Sequence, residues 1–173
     1  MKLEQKIIKL LSDYPEREFY GQEIADKIRC SKASASIILK ALSEKKIVSK
    51  TVRGHMNFYQ IDSKNPKVKK FKINLVLDSL NSQLPKLQRM AQKIILFGSG
   101  SRGEQTFNSD IDLFIISNNK EELRSALSQI KNDLPIKAVI KTPSEWSEME
   151  ITDPEFYQEV KNGITLYDYV SRI

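Results

Sequence analysis

The chain has 173 residues, which is enough for one domain of ordinary size or two small ones. Hydrophobic residues make up 40% and charged residues 29%, so we expect a packed core and exclude collagen-like and disordered chains. A single cysteine, Cys30, excludes an internal disulfide and a cysteine-held metal cluster. The sequence has no signal-like start and no apolar run of about 18 residues, which predicts a cytoplasmic protein without a membrane partner.

The net charge of +6 is distributed unevenly along the chain. Residues 1–62 carry 12 basic and 8 acidic side chains, residues 63–90 carry 7 and 1, and residues 91–173 carry 9 and 13. The front and the middle are therefore basic and the back is acidic. This asymmetry predicts separate roles for the two ends, with an anionic partner for the front.

Residues 1–62 are predicted to form three helices followed by a β-hairpin. Apolar residues recur at helical spacing, Ser31 is suited to cap the third helix, and β-prone runs flank Arg53-Gly54-His55. In chain order we expect a helix from Leu3 to the stop at Tyr14-Pro15, a helix over 21–28, a helix from about Lys32 to Lys45, and β-strands over 47–52 and 56–61.

This order of elements resembles the winged helix-turn-helix family, as do the motifs GQEIA at 21–25 and LSEKKIV at 42–48. On the third helix, one side is predicted to face the core and the opposite side to stay polar. The predicted core side consists of Ile37, Ile38, Ala41 and Leu42, and the polar side consists of Lys32, Ser36, Lys40 and Ser43.

The resemblance implies that the polar side of the third helix enters the major groove of DNA. Lys32 and Lys40 are then expected to contact phosphates or guanine edges, Ser36 a base or a phosphate, and Lys50 and Arg53 on the hairpin the flanking backbone. The alternative is a domain used for protein contacts or dimerisation, with a solvated helix face.

A helical linker is predicted between the two ends of the chain. Helical spacing runs from Asn65-Pro66 to Leu84-Pro85, where we expect a kink or break, and its lysines suit a solvated face or the DNA backbone. Such a helix could also pair with its copy in a homodimer. The predicted division is a winged helix-turn-helix domain at 1–62, a helical linker at 63–91 and a third segment at 92–173.

In that third segment, a glycine-rich stretch follows the predicted strand Ile94-Ile95-Leu96-Phe97. Gly98, Gly100 and Gly103 match the dinucleotide-binding fingerprint, but the six residues before the next strand leave no room for a crossover helix, which needs at least about 10–12 residues. A P-loop is also excluded, because Glu104-Gln105 stand where it needs Lys followed by Ser or Thr.

A third pattern fits better: Gly-Ser, then ten residues, then Asp-apolar-Asp. It resembles the signature of the nucleotidyltransferase superfamily related to polymerase β, and especially of its minimal members. The matched residues are Gly98, Ser99, Arg102, Gly103, Ser109, Asp110 and Asp112, with Ser101 where an alanine is usual. The resemblance implies an α+β fold, in which the winged helix is followed along the chain by a mixed sheet with flanking helices.

The chemistry of these residues suits phosphoryl transfer. Strand alternation places Asp110 and Asp112 on one face, where their carboxylates could hold Mg²⁺ as catalytic ligands. Two such ions about 3.5–4 Å apart stabilise the entering and leaving oxygens of an in-line displacement. We expect Gly98, Ser99 and Ser109 to bind the triphosphate of ATP or another NTP, and Arg102 to add charge or to brace the loop.

The predicted later strand, 135–141, departs from the family pattern because it contains no acid. Family members commonly supply a third carboxylate there, whereas this chain offers Lys137, Val139 or Lys141, with Asp133 before the strand and Glu145 after it. Three possibilities stay open: catalysis with two aspartates, a carboxylate from elsewhere, or a nucleotide-binding domain without catalysis. Further along, Trp146, Phe156 and Tyr157 are predicted to lie in the core.

The sequence thus predicts transfer of a nucleoside monophosphate from an NTP to a hydroxyl acceptor, Mg²⁺-dependent and coupled to a DNA-binding winged helix. The alternative is a DNA-binding transcription regulator with a catalytically weakened or inactive nucleotide-binding domain. The resemblance implies an antibiotic, a nucleic acid or a protein, such as a cognate toxin, as acceptor. A partner protein or a second copy of the chain is expected to complete the acceptor site.

Overall fold

The computed structural model describes residues 1–169, and the chain divides into two compact units at Lys72 and Ile73. This division falls inside the segment for which the sequence predicts a linker. The fold is α+β, as predicted. No helix of residues 1–169 is long and apolar enough to cross a membrane.

Residues 1–72 contain the three helices and the hairpin expected of a winged helix, together with a short additional strand. Each predicted element is confirmed to within a few residues, and the hydroxyl of Ser31 caps the third helix by accepting from the N–H of Ser34. The sheet order is β1-β3-β2, antiparallel throughout. The elements are α1 (Leu3–Asp13), β1 (Phe19–Tyr20), α2 (Gly21–Ile28), α3 (Lys32–Glu44), β2 (Val48–Arg53) and β3 (Met56–Ile61).

Helix α3 is rotated from its predicted orientation: Leu42 is buried and Ile38 packs against the core, as predicted, but Ile37 does not. Its buried side chains are Ala35, Leu39 and Leu42, spaced by four and three residues, whereas Ile37 is 71% exposed. At about 100° per residue, Ile37 lies nearly opposite Leu39, so both cannot face one core. Ser43, expected on the polar side, is half-buried with an enclosed hydroxyl.

Helix α4 (Pro66–Leu80) contributes to two cores. Val68 is buried in the core of the first unit, whereas Val76 and Leu80 are buried in the core of the second. The helix stops at Leu80, three turn residues follow, and α5 (Leu84–Gln88) begins with Pro85 in its first turn. The predicted break near Pro85 therefore lies just before that residue, because proline suits the first turn of a new helix.

The described part of the second unit, residues 73–169, contains a mixed four-stranded sheet of order β6-β5-β4-β7. Strand β4 pairs antiparallel with β5 and β7, and β5 pairs parallel with β6. The antiparallel β4–β5 pair confirms the exclusion of a dinucleotide-binding crossover at the glycine stretch. The elements are β4 (Lys93–Phe97), α6 (Gly98–Arg102), β5 (Ile111–Ile116), α7 (Lys120–Ser128), β6 (Ile136–Lys141), α8 (Pro143–Thr152), α9 (Pro154–Lys161) and β7 (Ile164–Asp168).

Both faces of this sheet are covered, which explains the continuous apolar runs of β4 and β5. Alternate residues such as Leu96 and Leu113 join the core that includes α4, α5 and α7, while Phe97 and Phe114 join the core beneath α8 and α9. Trp146, Phe156 and Tyr157 pack against this second cluster, as predicted, with the rings of Phe114 and Trp146 4.9 Å apart. The candidate site lies at the edge of this cluster, where β4 ends and β5 begins.

Candidate nucleotide site and nucleic-acid interface

A glycine turn shapes the end of β4. Gly98 follows the buried Phe97 and has φ +65°, a conformation that side-chain-bearing residues rarely adopt. A Cβ atom at Gly98 would lie 2.4 Å from Oδ2 of Asp112. Glycine is thus required here both by the backbone and by the carboxylate that lies against it.

Asp112 occupies the centre of three neighbouring strands. It pairs with Phe97 on β4 and with Lys137 on β6, and its neighbours Ile111 and Leu113 are buried, as strand alternation predicts. Burial raises the pKa of the Asp112 carboxyl above its ordinary value, and the negative charge of Asp110 raises it further. The fold therefore holds a half-buried carboxylate whose charge lacks full compensation.

Asp110 lies one residue before β5 and forms an ion pair with Lys137. The distance from Lys137 Nζ to Asp110 Oδ2 is 2.6 Å, and the lysine side chain is 71% exposed. This hydrogen bond raises the pKa of the Lys137 ammonium. Of the three β6 residues left open by the sequence, Lys137 is thus the one beside the aspartates, and it brings a positive charge.

The acids flanking β6 do not substitute for a third carboxylate at the pair. Asp133 is exposed before the strand, and the Glu145 carboxylate caps the start of α8 by accepting from the Thr142 N–H. The hydrogen bond from Lys120, together with that from Thr142, lowers the pKa of Glu145 to about 2. Glu159 on α9 was not predicted to lie near the site, but its negative charge raises the pKa of Asp112. It also pairs with Arg102, which is 57 residues earlier in the chain.

The two aspartates fit a magnesium ion bound together with a nucleotide. Residues 1–169 contain no group of three or more His, Cys, Asp or Glu side chains that could enclose a metal by themselves. Mg²⁺ is commonly held by one or two carboxylates, with substrate phosphates and water as its other ligands. Asp110 and Asp112 provide two carboxylates of this kind, and a cation there would offset the charge of Asp112 that Lys137 and Arg102 compensate only in part.

The other residues of the motif shape the loop around the aspartates. Within residues 1–169, the hydroxyl of Ser99 makes no hydrogen bond, whereas Ser101 donates to the Gly98 carbonyl at 2.8 Å. The Ser109 hydroxyl accepts from the Thr106 N–H at 2.8 Å and closes the loop before Asp110. Arg102 pairs with Glu104 at 3.0 Å and with Glu159 at 3.4 Å, so it braces this loop against α9.

In the first unit, the predicted DNA-contacting residues lie on the surface. Lys32, Ser36 and Lys40 are exposed along α3, and Lys50 is exposed on β2. Arg53, at the end of β2, pairs with Glu18 and lies over the ring of Phe58, 5.0 Å from its centroid. The structure thus brings the three α3 residues onto one face of the helix, whereas the Arg53 side chain is already engaged by Glu18 and Phe58.

A small open cavity of about 100 Å³ adjoins this face. Lys32, Ser36 and Leu39 line it from α3, and His55 and Asn57 line it from the hairpin. His55 is exposed in the hairpin turn. The cavity is polar, so the surface beside α3 offers hydrogen-bond donors as well as positive charge.

The family model for the nucleotidyltransferase domain matches residues 74–165, which is more than half of the chain. The chain belongs to this family. The match begins directly after the boundary between the two compact units and includes the glycine turn, both aspartates and Lys137. No curated protein matches the chain closely enough to count as a relative.

Solved structures similar to the chain include reduced HlyU from Vibrio cholerae, at 18% identity and TM-score 0.33, covering 44% of this chain and 74% of that one. The adhesin competence repressor AdcR from Streptococcus pyogenes has 16% identity and TM-score 0.39, and the match covers 53% of this chain and 68% of that one. TrmBL2, an archaeal chromatin protein, has 11% identity and TM-score 0.33, with 92% and 70% covered. Because every one of these TM-scores is below 0.5, the likenesses decide neither fold nor function.

Proposed function

We propose that the chain couples a DNA-binding winged helix to a Mg²⁺-dependent nucleotidyltransferase site, which transfers a nucleoside monophosphate from ATP or another NTP to a hydroxyl acceptor. The observation that carries the proposal is the Asp112 carboxylate lying against Gly98, where a Cβ would come within 2.4 Å of it, with Asp110 two residues away. In this family such a turn and aspartate pair fit a triphosphate and its divalent cation.

Each group in the site has a defined part in that reaction. Asp110 and Asp112 would hold Mg²⁺, which offsets charge on the phosphates, and the free hydroxyl of Ser99 would position the triphosphate. Ser109 keeps the loop closed, and Arg102 would reach a phosphate by exchanging its carboxylate partners. The acceptor oxygen forms a bond to the α-phosphorus while the bond from that phosphorus to the pyrophosphate oxygen breaks and pyrophosphate leaves. The hydroxyl proton passes to water or to a carboxylate of the partner that completes the acceptor site.

A specific observation favours a second function, that of a DNA-binding transcription regulator that binds the nucleotide without transferring it. Lys137 contacts Asp110 at 2.6 Å, and this ion pair raises the pKa of the Lys137 ammonium group. An ammonium group cannot accept the proton of an attacking hydroxyl. It also supplies one of the positive charges that a pair of cations would provide, so it supports binding more than transfer.

Two measurements on the full chain separate these functions. Calorimetry with ATP, in the presence and absence of Mg²⁺, tests binding, and α-labelled ATP incubated with cell lysate tests transfer. The transferase proposal expects Mg²⁺-dependent binding and label on an acceptor, such as a partner protein or a nucleic acid. Binding without label supports the regulator, and the absence of Mg²⁺-dependent binding contradicts both.

The DNA-binding part rests on the exposed cations of the first unit. Lys32, Lys40 and Lys50 are free to meet phosphates, and Ser36 lies between the two lysines of α3. Electrophoretic retardation of duplex DNA should weaken steeply with salt, because such contacts release counterions. A homodimer would place two such faces on one duplex, which sedimentation in the presence of DNA would detect.

A further inference from the structure

The exposed face of α3 carries an apolar side chain that the core does not use. Ile37 is 71% exposed, and Ala33, one turn earlier, is exposed as well. At about 100° per residue, Ile37 lies about 60° around the helix from Lys40, so both belong to the same exposed arc. The packing of the unit does not require an isoleucine at this position.

The charge of this arc identifies what covers it. Going around the helix in one direction from Ile37, Ala33 lies at about 40°, Lys40 at about 60° and Lys32 at about 140°. The only acid of the helix is Glu44, at its last position, about two turns beyond Ile37. A face with cations beside a small apolar patch complements a polyanion that offers an apolar group at its surface. Double-stranded DNA has that character, because each thymine presents its 5-methyl group in the major groove.

We propose that Ile37, together with Ala33, contacts a thymine methyl group in the major groove and so makes DNA binding by this chain sensitive to sequence. The lysines beside them supply phosphate contacts, which carry no sequence information. This inference rests on the proposed DNA binding and adds a specificity-determining residue to it. A helix in the groove brings its exposed arc to base edges, and an isoleucine there favours a methyl group over a polar edge.

The test uses the full chain and synthetic duplexes. Preferred duplexes are first selected from a random pool, and each thymine is then replaced singly by deoxyuridine, which lacks only the methyl group. Affinities are measured for the wild type, for Ile37→Ala and for Ile151→Ala. Ile151 is a matched control, because it is 86% exposed in the second unit.

We expect at least one thymine whose replacement by deoxyuridine weakens DNA binding by the wild type about fourfold, because burying one methyl-sized group contributes about 0.8 kcal/mol. The same replacement should leave the DNA affinity of Ile37→Ala unchanged. Ile151→Ala should respond as the wild type does. The inference is overturned if no thymine replacement weakens binding by the wild type. It is also overturned if each replacement weakens binding by Ile37→Ala as much as it weakens binding by the wild type. A change of oligomeric state in Ile37→Ala with unaltered DNA binding also overturns it, in favour of a contact between copies.

The same experiment distinguishes the inference from the proposal beneath it. If the wild type retains no duplex even at low salt, the proposed DNA binding fails, and the inference fails with it. If the wild type binds in a salt-dependent manner but ignores every thymine methyl, only the inference fails.

Discussion

The two units present their candidate functional groups in different ways. In the second unit, the groups are held by contacts: Gly98 has a positive φ that glycine adopts without strain, Asp112 lies against it, and Lys137 pairs with Asp110. In the first unit, the side chains of Lys32 and Lys40 are simply exposed. Substitutions at Gly98, Asp112 or Lys137 should therefore have large effects on nucleotide binding that depend on geometry. Substitutions on the exposed face of α3, here called the open face, should have smaller effects on DNA binding that depend on salt.

Among the single substitutions, the largest effect is expected from Gly98→Ala. The added methyl group would lie on the Asp112 carboxylate, and the positive φ would be strained by about 1–3 kcal/mol. We expect Mg²⁺-dependent ATP affinity, measured by calorimetry, to fall about 10- to 100-fold.

Gly163→Ala is the matched control for this change. A Cβ at Gly163 would lie 2.5 Å from the carbonyl oxygen of Leu96, and neither aspartate is among the three nearest atoms that it would meet, so it disturbs the same unit without touching the carboxylates. It should lower the unfolding midpoint while leaving affinity in the folded fraction unchanged. Equal losses of affinity in both variants would show that general destabilisation, rather than the carboxylate contact, explains the result.

Lys137→Glu should strengthen metal binding at the nucleotide site, because it supplies the third carboxylate that strand β6 lacks. The change removes the cation paired with Asp110 and adds an acid opposite Asp112, so we expect Mn²⁺, used as a spectroscopic probe, to bind about tenfold tighter. Lys141→Glu carries the same charge change on the same strand, four residues away, and should have little effect. If Mn²⁺ affinity rises equally in both variants, net charge accounts for the gain and Lys137 has no special place.

On the open face, the double substitution Lys32→Ala, Lys40→Ala should act through phosphate contacts alone. The dependence of log affinity on log salt should become shallower by about two, without a change in preferred sequence. Lys6→Ala, an exposed lysine of α1, serves as the control and should keep the wild-type slope. An unchanged slope in the double variant would remove α3 from the DNA-binding surface.

The smallest effect is expected on stability. Since the pKa of Asp112 is raised in the folded state, the folded protein binds a proton more readily than the unfolded chain does, and stability falls as pH rises through that raised pKa. Asp112→Asn removes this fall and should give a slightly higher unfolding midpoint at neutral pH. The difference should disappear as the pH approaches the ordinary carboxyl pKa near 3.8, and thermal melts at several pH values will show whether it does.

Local patterns predicted most of the fold and the motif, but not which groups meet. The hairpin, the Ser31 cap and the sequence motif around Asp110 and Asp112 are local features, and the structure has them as predicted. The place of Lys137 beside Asp110 depends on the register of two parallel strands, and that of Glu159 on the docking of α9. The exposure of Ile37 depends on which of two apolar faces α3 turns inward, which spacing alone leaves undecided.

The most direct test of the nucleotide site is calorimetric titration of ATP with Mg²⁺ into the wild type and into Asp110→Ala, Asp112→Ala. Asp133→Ala is the control, because that carboxylate is exposed before β6. We predict Mg²⁺-dependent binding by the wild type and the control, and a loss of at least about 100-fold in the double variant. Equal binding by all three proteins, or no Mg²⁺-dependent binding by the wild type, would contradict the assignment of the aspartates as the site.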